Sequence, residues 1–502
     1  MKTAVMVWGA SSGAGKSLLT TALCRWAARQ GLDVAPFKAQ NMSNNARVVP
    51  TATGEPGEMG AAQYFQALAA RVPPHTDMNP VLLKPERDTA SQVIVQGRVD
   101  AALSRQPWRE RSAALARFAQ ESFQRLAARH DVLVIEGAGS PAEINLAPQD
   151  YVNLDTARWA RDAGTLRALV VSDIDRGGAF AHLYGTWALL PEDLRPHLAG
   201  FVLNKFRGDA SLLAPGPEQL QALTGVPMLG VLPLLRDHGL PEEDGIHRPA
   251  SGWTDRPSSL TPGPRIAVVA WPHVSNLDEF QPLAAVAPLR WARQVADLDG
   301  ADWIILPGSK QVSGDLAWLR STGLDAAIAR HAQRGGRVLG LCGGLQVLGE
   351  WLDDPAGVDG DPHGPLPGLG LLPLTTRYAA PKRLSRTTAR FEPLDGPWRA
   401  LSTLACSAYE IRCGRTEARG DTAVPALRDA QGEVIGWVGT DSQAHVMGLT
   451  AHGLLEDPQV LQALVGPAAA AALPPLDARL DALADFVEVN VGTATLRTLM
   501  KI

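Results

Sequence analysis

The chain has 502 residues, 45% hydrophobic and 20% charged, with a formal net charge of −5. That length is too great for one core and calls for two or three domains of an ordinary soluble globular composition. The mild acidity excludes nucleic-acid binding of the bulk basic kind, so an acidic substrate must meet a local basic pocket. Residues 1–10 read as a short apolar strand without a cleavage-site pattern, so no secretory signal is expected. No apolar run reaches the roughly 18 residues that would suggest a membrane span. Four cysteines, Cys24, Cys342, Cys406 and Cys413, lack metal-ligand spacing and suit a reduced, cytoplasmic setting.

Taken in chain order, short apolar strands alternate with helical patterns, which predicts an α/β protein with largely parallel sheets. A strand at 4–8 leads into GASSGAGKS (9–17), then into a helix with Leu18, Leu19, Ala22, Leu23 and Trp26 on one face. Glycines such as Gly13 and Gly15 let backbone wrap a phosphate, and the helix N-terminus offers it free N–H groups. Lys16 would reach the β- and γ-phosphates and Ser17 would ligate Mg²⁺. Ala10 stands where strict Walker spacing asks for glycine, and counted from Gly9 the loop is one residue longer. In this it resembles the dethiobiotin synthetase group of P-loop proteins. A strand at 132–135 ends on Glu136, where a second carboxylate for the metal belongs, since a charge ending a buried strand needs a cation or hydrogen bonds. Further strands are expected at 168–172, 200–203 and 228–231, with Asn204 placed to read an adenine edge.

Residues 236–265 are rich in Pro, Gly, Ser and Asp and read as a linker. A second strand–helix series includes 266–270, 303–306 and 337–341. The last of these runs into GLCGGLQ (340–346), a nucleophile elbow: Cys342 sits at a sharp turn with small neighbours, at a helix N-terminus that favours thiolate. The N–H of Gly343 is placed for an oxyanion hole, with a second donor expected from Gly308. His452, followed by Gly453, is the expected general base, and sequence separation of this kind is normal for a Cys–His pair. The elbow resembles that of class I glutamine amidotransferases, which implies a flavodoxin-like domain. Many of that class carry a Glu two residues after the His. Here Leu454 stands there, and what orients His452 is left open. The expected division is a P-loop synthetase domain at 1–235, a linker at 236–264, an amidotransferase domain at 265–465 and a C-terminal tail at 466–502 with a short helix.

An ammonia generator and an ATP site in one chain imply an amide ligase that phosphorylates a carboxylate and lets ammonia attack the acyl phosphate. For the acceptor, the chain resembles the cobyric acid synthase subgroup of the CobB/CobQ family along nearly its whole length. The resemblance is carried by PFKAQNM (36–42), DMNPVLLKP (77–85), SQVIV (91–95), EGAGSPAEINL (136–146), DIDRGG (173–178), NKFRGD (204–209), LPEED (240–244), PGSK (307–310) and YEI (409–411). It implies amidation of the b, d, e and g carboxylates of adenosyl-cobyrinic a,c-diamide or its metal-free counterpart, with ATP, Mg²⁺ and glutamine and with neither nucleic acid nor membrane as partner. Arg412 replaces the family's usual His, Thr450 and Ala451 replace an aromatic–Leu pair, and Ser43, Asn44 and Asn45 are unusual after Met42. Lys38, Lys84, Arg87, Arg176 and Arg207 are candidate partners for acceptor carboxylates. Asp150, Asp173 and Asp175 are candidates to assist the metal or the acceptor. The competing readings are a ligase for another acceptor, such as a cell-wall lipid-linked sugar, and a non-catalytic P-loop ATPase.

Overall fold

The structure, a computed structural model, describes residues 1–87, 90–236, 238, 240, 253, 263–467, 471 and 473–502. The chain divides into two compact units, one of Met1–Ser43, Val49–Glu243 and Pro475–Ile502, the other of Asn44–Val48 and Asp244–Pro474.

The first unit is built on a six-stranded sheet in the order Met228–Pro233, Leu198–Phe206, Thr165–Asp173, Thr3–Gly9, Val132–Glu136, Val34–Phe37. All neighbours are parallel. A parallel sheet is buried on both faces, and the near-continuous apolar strands follow from that. In the central strand Ala4, Met6 and Trp8 enter one core while Val5 and Val7 enter the other. Strand ends facing the loop after Thr3–Gly9 gather the nucleotide motifs at one sheet edge, where open α/β sheets bind ligands. A smaller four-stranded sheet contains Gln40–Met42, Val81–Arg87, Ala90–Val95 and Arg98–Val99.

The expected tail at 466–502 is corrected. Leu476–Val491 and Thr493–Met500 are helices of the first unit. Leu480, Leu483, Ala484 and Val487 share a core with Leu19, Leu23 and Trp26 of helix Lys16–Arg29. Arg25, fully buried on that helix, pairs with Asp481 at 2.8 Å and Asp477 at 3.2 Å. The expected linker falls largely outside the described residues, as does most of the LPEED stretch.

The second unit has a mixed sheet. Its parallel part runs Leu289–Ala292, Ile266–Val269, Trp303–Leu306, Arg337–Leu341, Val446–Leu449. It continues antiparallel through Val434–Gly439 and Ala423–Arg428 into the long strand Leu374–Phe391, which pairs with Ala405–Ala418. Alternation again splits the strands between two cores: Trp303 and Ile305 face one, Ile304 and Leu306 the other. Arg337–Leu341 lies inside the parallel part, and the turn that follows it opens at the sheet's carboxyl edge.

Candidate active site

In the first unit, Gly13 and Gly15 both take positive φ, 67° and 105°, which shapes the loop ahead of helix Lys16–Arg29. A side chain at Gly15 would collide with Asn204, whose amide nitrogen would lie 1.9 Å from its Cβ. Lys16 is buried and donates to the carbonyls of Ser11 at 3.1 Å and Gly139 at 3.2 Å. Ser17 Oγ donates to Glu136 Oε1 at 2.9 Å. Glu136, fully buried at the end of its strand, also accepts from Lys38 Nζ at 2.9 Å and from Gln66 Nε2. A hydroxyl and a carboxylate side by side form an all-oxygen donor pair, which suits a hard divalent cation that draws its other ligands from phosphate and water. Among the described residues there is no group of three or more His, Cys, Asp and Glu that could hold a metal ion.

The other sequence expectations fall unevenly around this loop. Asn204 reaches it, but its amide donates to Ala14 O at 2.9 Å; it braces the loop, and the adenine-edge reading draws no support from that placement. Lys38, expected as a carboxylate partner of the acceptor, is buried and pairs here with Glu136. Lys84 is likewise buried against Glu58. Arg176 stays exposed, with Nη2 3.3 Å from the position of a Cβ on Gly13 and Nε 3.4 Å from Asp173. Arg207 is exposed and pairs with Asp175. Of the five candidate acceptor cations, Arg176 and Arg207 keep exposed heads. The side chain of Arg87 lies outside the described residues. Asp150 caps a turn, accepting from Asn153 N at 2.8 Å. Asp173 takes Lys205 Nζ at 3.0 Å, and Lys205 also donates to Gly13 O at 2.8 Å.

In the second unit the residue after Arg337–Leu341 is Cys342, with φ 50° and ψ −104°. A non-glycine residue there is strained, and such strain concentrates where a side chain must be presented at a turn. The turn needs its glycines: a Cβ on Gly344 would sit 2.0 Å from the Leu306 carbonyl oxygen, and one on Gly340 2.6 Å from Leu348 Cδ1. Cys342 N donates to Leu449 O at 2.7 Å. Its Sγ lies 3.8 Å from the Ile411 carbonyl oxygen and within hydrogen-bond reach of His452.

His452 is 1% exposed. Its Nδ1 lies 2.9 Å from Glu279 Oε1, and the other oxygen of Glu279 accepts from Gly453 N at 3.2 Å. The ring stacks on Tyr409, centroids 5.5 Å apart. Burial opposes a charge on this imidazole, but the Glu279 carboxylate and the Cys342 thiolate outweigh it and push its pKa up to about 10. With Nδ1 committed to Glu279, Nε2 is left for the thiol, the arrangement of a nucleophile, a base and an orienting acid. Gly308 and Gly343 close the site: a Cβ on Gly308 would meet His452 Cε1 at 2.9 Å, and one on Gly343 would meet Ser309 N at 2.7 Å. Ser309 is fixed by Asp315, to which its hydroxyl donates at 2.6 Å.

Glu279 is the residue that sequence reasoning missed, and it supplies the orienting group left open there. It sits in LDEF (277–280), 173 residues before His452. The two substitutions around the catalytic pair meet at one place. Arg412 Nε donates to Glu410 Oε1 at 2.7 Å and Thr450 Oγ1 donates to the same oxygen at 2.6 Å. Glu410 is fully buried, and its neighbours in YEI touch the site on either side: Tyr409 at His452, Ile411 at Cys342.

Residues 5–247 match the CobQ/CobB/MinD/ParA nucleotide-binding domain, and residues 265–460 match the CobB/CobQ-like glutamine amidotransferase domain. The chain is 58% identical to the cobyric acid synthase of Methylibium petroleiphilum, over 99% of this chain and 96% of that one. The chain belongs to the cobyric acid synthase family. The family's member from Leptothrix cholodnii is also 58% identical, over 99% and 97% of the two chains, and that from a Polaromonas species 55%, over 99% and 98%. Relatives of such coverage span both units. They favour the corrin reading over the cell-wall alternative. Among the described residues no helix is long and apolar enough to cross a membrane.

Proposed function

We propose that the protein amidates the b, d, e and g carboxylates of (adenosyl)cobyrinic or hydrogenobyrinic a,c-diamide, using one ATP and one glutamine for each amide, in the cytoplasm. The observation that carries the reading is Cys342 on its strained turn beside the buried His452–Glu279 pair, in a chain that also holds a P-loop with Ser17 on Glu136.

In the glutaminase half, His452 holds the proton of the Cys342 thiol, and the thiolate attacks the glutamine amide carbon. The N–H of Gly343, with Gly308 beside it, faces the oxyanion that develops. His452 returns the proton to the leaving nitrogen, so ammonia departs and water later frees glutamate from the thioester. In the synthetase half, Lys16 draws charge from the β- and γ-phosphates. An acceptor carboxylate oxygen bonds to the γ-phosphorus and ADP leaves. Ammonia then bonds to the acyl carbon and inorganic phosphate departs with the former carboxylate oxygen. Ser17 and Glu136 would hold Mg²⁺, which neutralises phosphate charge during transfer. Arg176 and Arg207, exposed near the P-loop and Asp175, are the proposed contacts for acceptor carboxylates.

The test is Cys342→Ala assayed with two nitrogen sources. Amidation from glutamine is expected to vanish while amidation from ammonium survives. Loss of both would overturn the assignment of Cys342 to the glutaminase step.

A further inference from the structure

Five residues that lie in sequence inside the nucleotide-binding match are built into the amidotransferase unit: Asn44–Val48. Within that unit they surround the turn that carries Glu279. Asn45 Oδ1 accepts from Leu277 N at 2.9 Å, at the opening of the 3₁₀ turn Leu277–Phe280. Asn276, just before it, donates to Tyr409 Oη at 2.8 Å and to Ala46 O at 3.4 Å. Arg47 is 3% exposed, and its guanidinium bonds Asp278 and Glu456, the second through Nη1 at 3.0 Å. It also lies 5.2 Å from the centroid of the Tyr409 ring that stacks on His452.

The charges explain why a cation is needed there. Asp278 and Glu279 come from the 3₁₀ turn, Glu456 from the turn Leu454–Glu456, Tyr409 from strand Ala405–Ala418, and Cys342 and His452 from the elbow and the segment before Leu454. Three carboxylates meet around one buried guanidinium, and like charges held so close repel unless a cation stands between them. Glu456 shows the effect: burial, with Asp278 and Glu279 nearby, pushes its carboxyl up even against the opposing pull of Arg47.

We propose that Arg47 is a positioning residue of the glutaminase reaction, holding the Asp278–Glu279 turn in place and the Tyr409 ring seated so that His452 stays aligned with Cys342. This rests on the assignment of Cys342 and His452 as the glutaminase pair. Arg47 touches neither the glutamine nor the thiol in this role. Its effect belongs in kcat.

The experiment uses the full chain with Arg47→Ala and Arg47→Lys, assayed for glutamine hydrolysis and for ammonium-supported amidation. For Arg47→Ala, kcat for glutamine hydrolysis is expected to fall ~10²-fold, the low end of what a positioned base contributes, with KM for glutamine nearly unchanged. Arg47→Lys should restore part of kcat, and ammonium-supported amidation should persist in both variants, showing that the chain is folded. Wild-type kcat would overturn the proposal, as would an equal loss of ammonium-supported amidation. Cys342→Ala run alongside separates the two levels. If it still hydrolyses glutamine, the glutaminase assignment itself falls and this proposal with it. If it is inert while Arg47→Ala matches wild type, this proposal alone falls.

Discussion

His452 owes its state to a carboxylate far away in sequence. Glu279 touches both its Nδ1 and the N–H of the following Gly453, so one side chain fixes the ring and the turn behind it. Glu279→Gln keeps the shape and removes the charge. It should lower kcat for glutamine hydrolysis by ~10²–10⁴-fold. The pH dependence follows from the sign of the shift: Glu279 holds the imidazole pKa high, near 10, so its neutral replacement lets that pKa fall, and the alkaline limb of the kcat profile should move to lower pH. An unshifted alkaline limb in the Glu279→Gln profile would contradict the pairing. Cys342 was legible because an elbow has a local signature of small residues around the nucleophile, and His452 because a glycine follows it. Glu279 has no such signature. Its function arises only when the chain brings residue 279 to residue 452. Lys38 shows the other side of this: a lysine in a distinctive stretch invites a ligand role, and its local sequence gives no sign of the buried pairing with Glu136 that the fold supplies.

Elements were easier to read than their partners. Strands such as Thr3–Gly9 and Trp303–Leu306 announce themselves as short apolar runs bounded by turn residues, because both faces of a parallel sheet are buried. Where each helix packs is a tertiary matter, and the C-terminal helix Leu476–Val491 shows it. The sequence reading expects only a short helix in a tail, because its target, helix Lys16–Arg29, lies at the other end of the sequence. Leu480, Leu483 and Val487 are nearly inaccessible there. Full burial of such side chains contributes about 1.5–3 kcal/mol each, against a net stability of about 5–15 kcal/mol for a whole domain. Truncation after Pro474 would expose that surface and strip Arg25 of Asp477 and Asp481. The truncated chain is therefore expected to lose cooperative thermal unfolding of the P-loop unit and to aggregate on expression. A soluble truncated chain with unchanged ATP binding would contradict this account of the helix.

Across the whole molecule, two chemistries occupy two units of one chain, and the family relationship covers both. One unit frees ammonia with a thiol; the other uses ATP to make a carboxylate reactive. Activation is the central claim, and its mark is the fate of an oxygen atom. The acceptor carboxylates are labelled with ¹⁸O, and the labelled a,c-diamide is turned over with ATP and glutamine. Transfer of the γ-phosphoryl group predicts that each amide formed leaves one ¹⁸O in inorganic phosphate, with ADP unlabelled. Label appearing in AMP, or amide formed with no label in phosphate, would contradict it.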